Sequence, residues 1–241
     1  MADSKPRFVQ APAELMNRFI HPFSMAIIGQ TMVGKSYLIK EILKYRNQLM
    51  TTHFDAIYYC IPTHLYDANQ SYLEELRKVC PSIRILENDP SISLIRGNQL
   101  PTLFIMDDMM NTVFFKKELE QLFTQASNHY SNSVIFTSQN AFNSKRDQTI
   151  VRQLSYRVIF NKNAELRYKR EMSLSFSTDP LLIDGCFAML KKQQNISELN
   201  KKFILIDQHP KSPLADYPIR GNIMPGPDGL ITPLLFTPRK K

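Results

Sequence analysis

Apolar runs alternate along the chain with segments whose apolar residues recur at helical spacing. The runs predict buried strands at residues 23–28, 53–60, 83–86, 102–106, 132–138, 156–160 and 202–207. The helically spaced segments predict helices at residues 37–48, 66–79, 114–127, 150–154, 166–176 and 181–193. Because strands and helices alternate, we predict an α/β fold with a mostly parallel sheet that carries helices on both faces.

Proline marks both ends of the pattern. Prolines at positions 6, 12 and 22 interrupt residues 1–22, which we predict to be an N-terminal arm. Seven prolines follow residue 208, so residues 209–241 cannot be helical, and we predict a Pro-rich, basic C-terminal arm. The single domain predicted between the arms spans residues 23–208.

The first strand leads into a phosphate-binding motif. The stretch Gly29-Gln30-Thr31-Met32-Val33-Gly34-Lys35-Ser36 fits the P-loop pattern, and a predicted helix begins at Tyr37. In this motif the N–H groups of the loop and of the helix N-terminus point at phosphates. Lys35 then reaches the β- and γ-phosphates of a nucleotide, and the Ser36 hydroxyl holds Mg²⁺. The motif predicts an ATP and Mg²⁺ site, although Thr31, Met32 and Val33 are bulkier than the small residues of many P-loops.

A second motif follows the strand at residues 102–106. That apolar strand ends in Asp107 and Asp108, the form of a Walker B motif. We expect Asp107 to hold Mg²⁺ and Asp108 to polarise the attacking water. A further polar residue, Gln139, follows the strand at 132–138, where an amide can sense the γ-phosphate; taken alone, such a residue is more often a satisfied strand-end amide.

A further strand, at residues 53–60, lies between the two motifs in sequence. This favours the class of P-loop NTPases with an additional strand inserted between the motifs, the RecA-like or FtsK–HerA type. Such enzymes hydrolyse ATP at a subunit interface with an arginine finger from the neighbouring subunit. Arg146 and Arg152, which follow the third motif, are the candidates.

Composition narrows the class of protein. The chain has 241 residues, of which 43% are hydrophobic, and 30 basic against 22 acidic residues give a net charge of +8. An anionic partner is therefore favoured, nucleic acid first. The three scattered cysteines indicate buried thiols in a reducing compartment, and no apolar run approaches the roughly 20 residues that span a bilayer.

The later motifs carry a more specific resemblance. The blocks Phe-Thr-Gln-Ala-Ser-Asn-His at 123–129, Ser-Gln-Asn-Ala-Phe at 138–142 and Tyr-Arg-Val-Ile-Phe-Asn-Lys-Asn at 156–163 follow the two motifs in order. Over residues 20–225 the chain closely resembles the viral genome-packaging ATPases of the FtsK–HerA superfamily, the poxvirus-type group found also in Polinton- and adintovirus-like elements.

The resemblance implies a function and partners. It implies an ATPase that moves double-stranded DNA into a preformed capsid, as a pentameric or hexameric ring that meets capsid or portal vertex proteins. It implies an intracellular place of action, the host nucleus or a cytoplasmic assembly site, and leaves association with the virion open. It assigns nucleotide and Mg²⁺ binding to Lys35 and Ser36, the Walker B roles to Asp107 and Asp108, and the sensor role to Gln139. Gln148 stands where many relatives have arginine, so the finger stays open between Arg146 and Arg152.

Other functions remain open from the sequence. A helicase or replication ATPase would carry the same motifs, and so would an ATP-binding switch with little turnover, which the bulky loop residues favour. For a motor, Lys145, Arg146 and, more weakly, Lys162 are candidate DNA contacts. Because such contacts are made to phosphates, we expect DNA binding to fall steeply with salt.

Overall fold

The computed structural model describes residues 7–10, 18–97, 99–108, 131–139, 154–161, 166–176 and 179–237. Its strands are β1 Arg7–Gln10, β2 Ser24–Ile28, β3 Ala56–Ile61, β4 Ile83–Glu87, β5 Thr102–Met106, β6 Asn132–Ser138, β7 Tyr156–Phe160, β8 Phe203–Asp207, β9 Ile219–Gly221 and β10 Leu234–Thr237. Its helices are α1 Lys35–Lys44, α2 Arg46–Leu49, α3 Thr63–Tyr66, α4 Gln70–Val79, α5 Ile92–Gly97, α6 Leu166–Phe176 and α7 Leu182–Lys192, with a 3₁₀ turn at Asp67–Asn69.

All ten strands form one sheet in the order β1-β10-β9-β8-β7-β2-β6-β5-β3-β4. The six strands from β7 to β4 pair in parallel, as the alternation of strands and helices predicts. Their carboxyl ends therefore meet at one edge of the sheet, where the P-loop, the two aspartates and Gln139 follow their strands.

The strand that separates the two motifs in space is not the predicted one. β6 lies between the P-loop strand β2 and the Walker B strand β5, with Ala26 opposite Phe136 and Phe104 opposite Val134. The strand predicted at 53–60, here β3, pairs with the far side of β5. The predicted α/β arrangement with an additional strand between the two motif strands is confirmed, but that strand follows the Walker B strand in sequence, because packing and not chain order decides which strands are neighbours.

The predicted C-terminal arm is wrong for the part of it that the structure describes. β8 pairs antiparallel with β7, β9 with β8, β10 with β9, and β1 with β10. Proline excludes helix in this segment, but it can occupy the position just before a strand, as Pro218 does before β9 and Pro233 before β10. The segment after residue 208 thus extends the sheet.

The predicted N-terminal arm also contacts the domain. β1 forms the edge strand beside β10, and Phe19 is fully buried. The Phe19 amide donates to the Leu49 carbonyl, and the Thr51 amide donates to the Phe19 carbonyl. Residues on both sides of the predicted boundary at 22 therefore belong to one packed unit.

Helices cover both faces of the sheet. On one face, Met25 and Ile27 of β2 pack in a core with Leu38 and Ile42 of α1 and with α4. On the other face, alternate strand residues pack against α5, α6 and α7. Burying each of these aliphatic side chains stabilises the fold by about 1.5–3 kcal/mol. The two cores hold the parallel strands rigidly beneath the edge that carries the motifs.

The helix predicted at 114–127 and most of that predicted at 150–154 lie outside the described residues.

Candidate nucleotide and magnesium site

The P-loop joins β2 to α1 through two residues with positive φ. Gly34 has φ +107° and Met32 has φ +63°, and the Met32 side chain is 97% exposed. A φ of +107° is costly for any residue with a Cβ, which explains glycine at position 34. At Gly29 the constraint is space, since a Cβ there would lie 2.9 Å from Phe160 Cβ and 2.9 Å from Val33 Cγ2. The two glycines thus let the loop fold closely against β7.

The first turn of α1 is open to an anion. No side chain caps the helix at Gly34, and its first turn carries no acidic residue. The first N–H groups of a helix have no partner within the helix, and the helix dipole places positive charge there. This end of α1 is therefore suited to phosphate.

Lys35 folds back on its own loop. Its ammonium donates to the carbonyl oxygens of Gly29 at 2.7 Å and Gln30 at 2.9 Å. Burial lowers the pKa of Lys35, while the charges of Asp108 and Asp107 act in the opposite direction. To contact a phosphate, the ammonium must exchange its two carbonyl partners for phosphate oxygens.

The Asp107 carboxylate accepts hydrogen bonds from three hydroxyls. Ser36 Oγ donates to Asp107 Oδ2 at 2.9 Å, and Thr137 Oγ1 donates to Asp107 Oδ1 at 2.8 Å. The Tyr59 phenol also donates to Asp107 Oδ2. The two predicted metal-binding side chains, Ser36 and Asp107, are therefore in direct contact, and both offer the oxygen ligands that Mg²⁺ prefers.

Asp108 lies beside Asp107 in a different environment. Its backbone has φ +55°, and its amide donates to Thr137 Oγ1 at 2.9 Å. Its carboxylate is exposed and lies 3.5 Å from Gln139 Nε2. Asp108 can therefore contact water in the cleft, and Gln139 is within reach of the same position.

A cleft of about 490 Å³ brings these groups together. Its lining residues are Thr31, Met32, Gly34, Lys35, Ser36, Tyr37, Ile61, Leu65, Asn69, Asp107, Asp108 and Gln139. The volume falls within the ~300–1,000 Å³ of small-molecule sites. A lysine, unpaired helix amides, and a hydroxyl beside two carboxylates are the donor set that a nucleoside triphosphate with Mg²⁺ requires, so the residues fit both groups.

The predicted site residues fall into three sets. Thr31, Met32, Gly34, Lys35, Ser36 and Tyr37 line the cleft, as do Asp107, Asp108 and Gln139. Gly29, Gln30 and Val33 shape the loop without lining the cleft. The predicted arginines, Arg146 and Arg152, lie outside the described residues, as do Lys145, Lys162 and residues 123–129.

Three hydroxyl side chains in the site were not predicted. Tyr59 and Thr137 bind Asp107, and the Tyr72 hydroxyl donates to the Ser36 carbonyl oxygen at 2.7 Å. Burial, followed by the Asp107 charge, raises the pKa of both tyrosines, so both phenols remain donors. No local signal in the sequence marks these hydroxyls, because Tyr59 and Thr137 lie within apolar strands and Tyr72 lies within an amphipathic helix.

A basic cavity of about 760 Å³ opens on the other side of the P-loop. Met32, Val33 and Phe160 form its apolar part, and its charged lining residues are Lys191, Glu198, Lys201 and Lys202. Lys201 pairs with Glu198 at 2.8 Å. Three lysines against one glutamate extend the positive charge beyond the loop, which favours anions near it.

The loop, the inserted strand and the two aspartates decide the fold. It is that of the P-loop NTPases. In the described part of the chain, no helix is both long and apolar enough to cross a membrane, and no group of three or more His, Cys, Asp or Glu side chains forms a metal cluster.

Several solved structures are similar to this chain, at low sequence identity and with TM-scores below 0.5. The genome packaging NTPase B204 from Sulfolobus turreted icosahedral virus 2, in complex with ATP-gammaS, is 16% identical with a TM-score of 0.43, over 77% of this chain and 91% of that chain. The ATPase EscN from the enteropathogenic E. coli type III secretion system is 12% identical with a TM-score of 0.40, over 78% and 57%. The flagellar accessory protein FlaH from Methanocaldococcus jannaschii is 14% identical with a TM-score of 0.38, over 58% and 72%. The sequence matches no protein-family model and no curated protein.

Proposed function

We propose that the chain is an ATP-hydrolysing motor that moves double-stranded viral DNA into a preformed capsid. The observation that carries the ATPase part is the direct hydrogen bond between Ser36 and Asp107, with Lys35 and Asp108 in the same cleft. The blocks at 123–129, 138–142 and 156–163 and the charge of +8 support the DNA-packaging part.

Each residue has a distinct task in this mechanism. The Lys35 ammonium turns from its loop carbonyls to the β- and γ-phosphates, and the amides at the start of α1 hold the phosphate oxygens. Ser36 and Asp107 would hold Mg²⁺, which would supply positive charge against the phosphates. Asp108 orients and polarises the attacking water, and Gln139 sits where it can register the γ-phosphate.

The proposal extends to the assembly. The motor acts as a homo-oligomeric ring of five or six subunits, with Arg146 or Arg152 completing the neighbouring site. Its partners are double-stranded DNA, gripped through phosphates, and capsid or portal vertex proteins. Its place of action is the host nucleus or a cytoplasmic assembly site.

One observation favours a second candidate, an ATP-binding switch with little turnover. Met32 takes a positive φ that is unusual for a side chain of its size, and it stands fully exposed over the loop. Met32 also lines the cleft, where many P-loops have a smaller residue. The switch and the motor differ in turnover and in the response to DNA.

The test is ATP hydrolysis with and without linear double-stranded DNA, at about 50 and about 200 mM salt. The proteins are the wild type, Asp108→Asn, and the matched control Asp216→Asn at an exposed position away from the cleft. We expect DNA to stimulate the wild type and the control, with less stimulation at the higher salt. Asp108→Asn should bind a fluorescent ATP analogue but hydrolyse ATP at least about 100-fold more slowly.

Each other outcome contradicts part of the proposal. Normal hydrolysis by Asp108→Asn would remove its catalytic role. Tight ATP binding without turnover, with or without DNA, would favour the switch. Strand unwinding by the wild type would favour a helicase.

A further inference from the structure

Asp107 is held by hydroxyls from three separate elements. Ser36 comes from the start of α1, Thr137 from β6 and Tyr59 from β3. Ser36 and Tyr59 share Oδ2, and Thr137 takes Oδ1. Asp107 is only 8% exposed, so these hydroxyls supply most of the polar environment of its carboxylate.

The sheet register explains why a tyrosine reaches this carboxylate. Tyr59 lies opposite Ile105 in the parallel pair of β3 and β5. Because side chains alternate between faces, Asp107 follows on the same face as Ile105. Asp107 is therefore the diagonal neighbour of Tyr59 on the adjacent strand. Such neighbours lie about 7–8 Å apart, within reach of a long aromatic side chain and beyond that of a serine or threonine.

The phenol oxygen is not required for packing. Tyr59 is fully buried, and its ring packs in the core on the face of α1 and α4, with its centroid 6.1 Å from that of Tyr72. A phenylalanine ring would fill the same space. The hydroxyl donates to Asp107 and lies within hydrogen-bonding reach of the Tyr72 hydroxyl, so it contributes polar contacts at the site.

We propose that Tyr59 is a positioning residue that fixes the Asp107 carboxylate for the nucleotide-bound Mg²⁺; this rests on the proposed ATPase function. Tyr59 and Thr137 hold the two carboxylate oxygens from the sheet. Ser36 can then keep its proton on Asp107 while its lone pairs face the metal. Without the phenol, Oδ2 keeps only the Ser36 hydroxyl, which would also hold the metal, so the carboxylate is fixed less firmly.

The test compares nucleotide affinity with Mg²⁺ and with EDTA, using mant-ATP as the probe. We expect Mg²⁺ to increase the affinity for mant-ATP, and we expect this increase to be about tenfold smaller in Tyr59→Phe. The reason is the loss of a hydrogen bond to a charged group. The affinity in EDTA should stay within about twofold of the wild type, because no phosphate contact changes. The Mg²⁺ concentration that half-saturates hydrolysis should rise to a similar extent.

Tyr58→Phe is the matched control. Tyr58 is the neighbouring residue on β3, faces the other core, and accepts a hydrogen bond from Arg84 at 2.9 Å. Tyr58→Phe removes the same hydroxyl group away from Asp107, so the Mg²⁺ dependence of its mant-ATP affinity should equal that of the wild type.

A double variant separates a positioning role from an effect on general stability. Once Asp107→Asn has removed the carboxylate, adding Tyr59→Phe should cost no further Mg²⁺ dependence. A fully additive loss would overturn the proposal. A Tyr59→Phe protein would also overturn it by unfolding at a lower denaturant concentration while keeping the wild-type ratio of mant-ATP affinities with Mg²⁺ and with EDTA. A wild type with no Mg²⁺-dependent nucleotide binding would instead contradict the proposed function itself.

Discussion

Lys35 is a single residue at which binding and stability have opposite requirements. Its ammonium is buried between the loop and two aspartates, and burial lowers its pKa despite their attraction. The folded state therefore holds this charge at a cost in free energy. Its bonds to the Gly29 and Gln30 carbonyls offset part of that cost while no phosphate is present.

Lys35→Met should separate these two requirements. Methionine keeps a flexible, unbranched stem and removes the charge, so the free energy of unfolding should stay equal or rise by up to about 1 kcal/mol. The affinity for mant-ATP should fall at least about 100-fold, because a charged partner of the phosphates is lost. Urea unfolding and fluorescence titration measure the two quantities.

The control for this variant is Lys40→Met, on the next turn of α1. Lys40 pairs with Glu75 at 2.6 Å outside the cleft, so its loss should leave mant-ATP affinity unchanged. A Lys35→Met protein that binds mant-ATP like the wild type would contradict the assignment of Lys35.

At this scale, the sequence predicts the residues whose chemistry depends on local spacing. Lys35 and Ser36 follow a fixed motif, and Asp107, Asp108 and Gln139 end apolar strands. Tyr59 and Thr137 could not be predicted in the same way, since each stands within an apolar strand typical of a core. Only the pairing of β3, β5 and β6 brings their hydroxyls to Asp107. Arg146 and Arg152 stay predictions.

Among the elements, the strands after residue 208 depend on one buried ion pair. Arg220 of β9 binds the Asp207 carboxylate at the end of β8, and the two side chains are 2% and 1% exposed. Asp207 also accepts from the Ser212 hydroxyl and the His209 amide, both at 2.8 Å. These bonds close the turn that brings β9 back beside β8.

Arg220→Ala should destabilise the protein by about 3–5 kcal/mol, because it leaves the Asp207 carboxylate buried without its cation. Urea unfolding measures the change. Lys211→Ala, at an exposed position in the same turn, should lie within about 0.5 kcal/mol of the wild type. An Arg220→Ala protein as stable as this control would show that the strands after residue 208 do not rely on the ion pair.

The segment after residue 208 also shows what a pattern of prolines cannot predict. Prolines correctly exclude helix after residue 208, yet Ile219, Ile223, Leu235 and Phe236 are buried. An extended chain can lie free or pair with a sheet edge, and the choice depends on whether an edge such as β8 is available. That is a property of tertiary structure, which a run of prolines does not encode.

For the molecule as a whole, the alternation of strands and helices predicts the parallel half of the sheet and its coverage on both faces. The pairing of β1 with β10 could not be predicted, because the two strands are far apart in sequence. The result is a sheet with two large cores, in which thiols and phenols are buried on both sides.

These buried groups predict how stability depends on alkaline pH. Burial raises the pKa of the Cys60 and Cys186 thiols above 9.0, and that of the Tyr72 and Tyr156 phenols above 10.0. Each group stays protonated in the folded state at a pH where the unfolded chain has already lost the proton. The folded state then binds more protons, so stability falls as pH rises above about 9. Lys35, with its lowered pKa, contributes in the opposite direction, whereas the Tyr59 phenol, whose pKa burial also raises, acts in the same direction as the other four groups.

Urea unfolding under reducing conditions at about pH 7.5, 9 and 10 measures this dependence, and each group contributes a slope of about 1.4 kcal/mol per pH unit once it titrates fully. Cys186→Ala creates a cavity and is less stable at every pH, yet its free energy of unfolding should fall less steeply above about pH 9, by roughly one such slope. The change in slope distinguishes the buried thiol from the cavity, since a cavity lowers stability equally at all three pH values. Parallel curves for the variant and the wild type would show that the Cys186 thiol ionises as readily in the folded protein as in the unfolded chain.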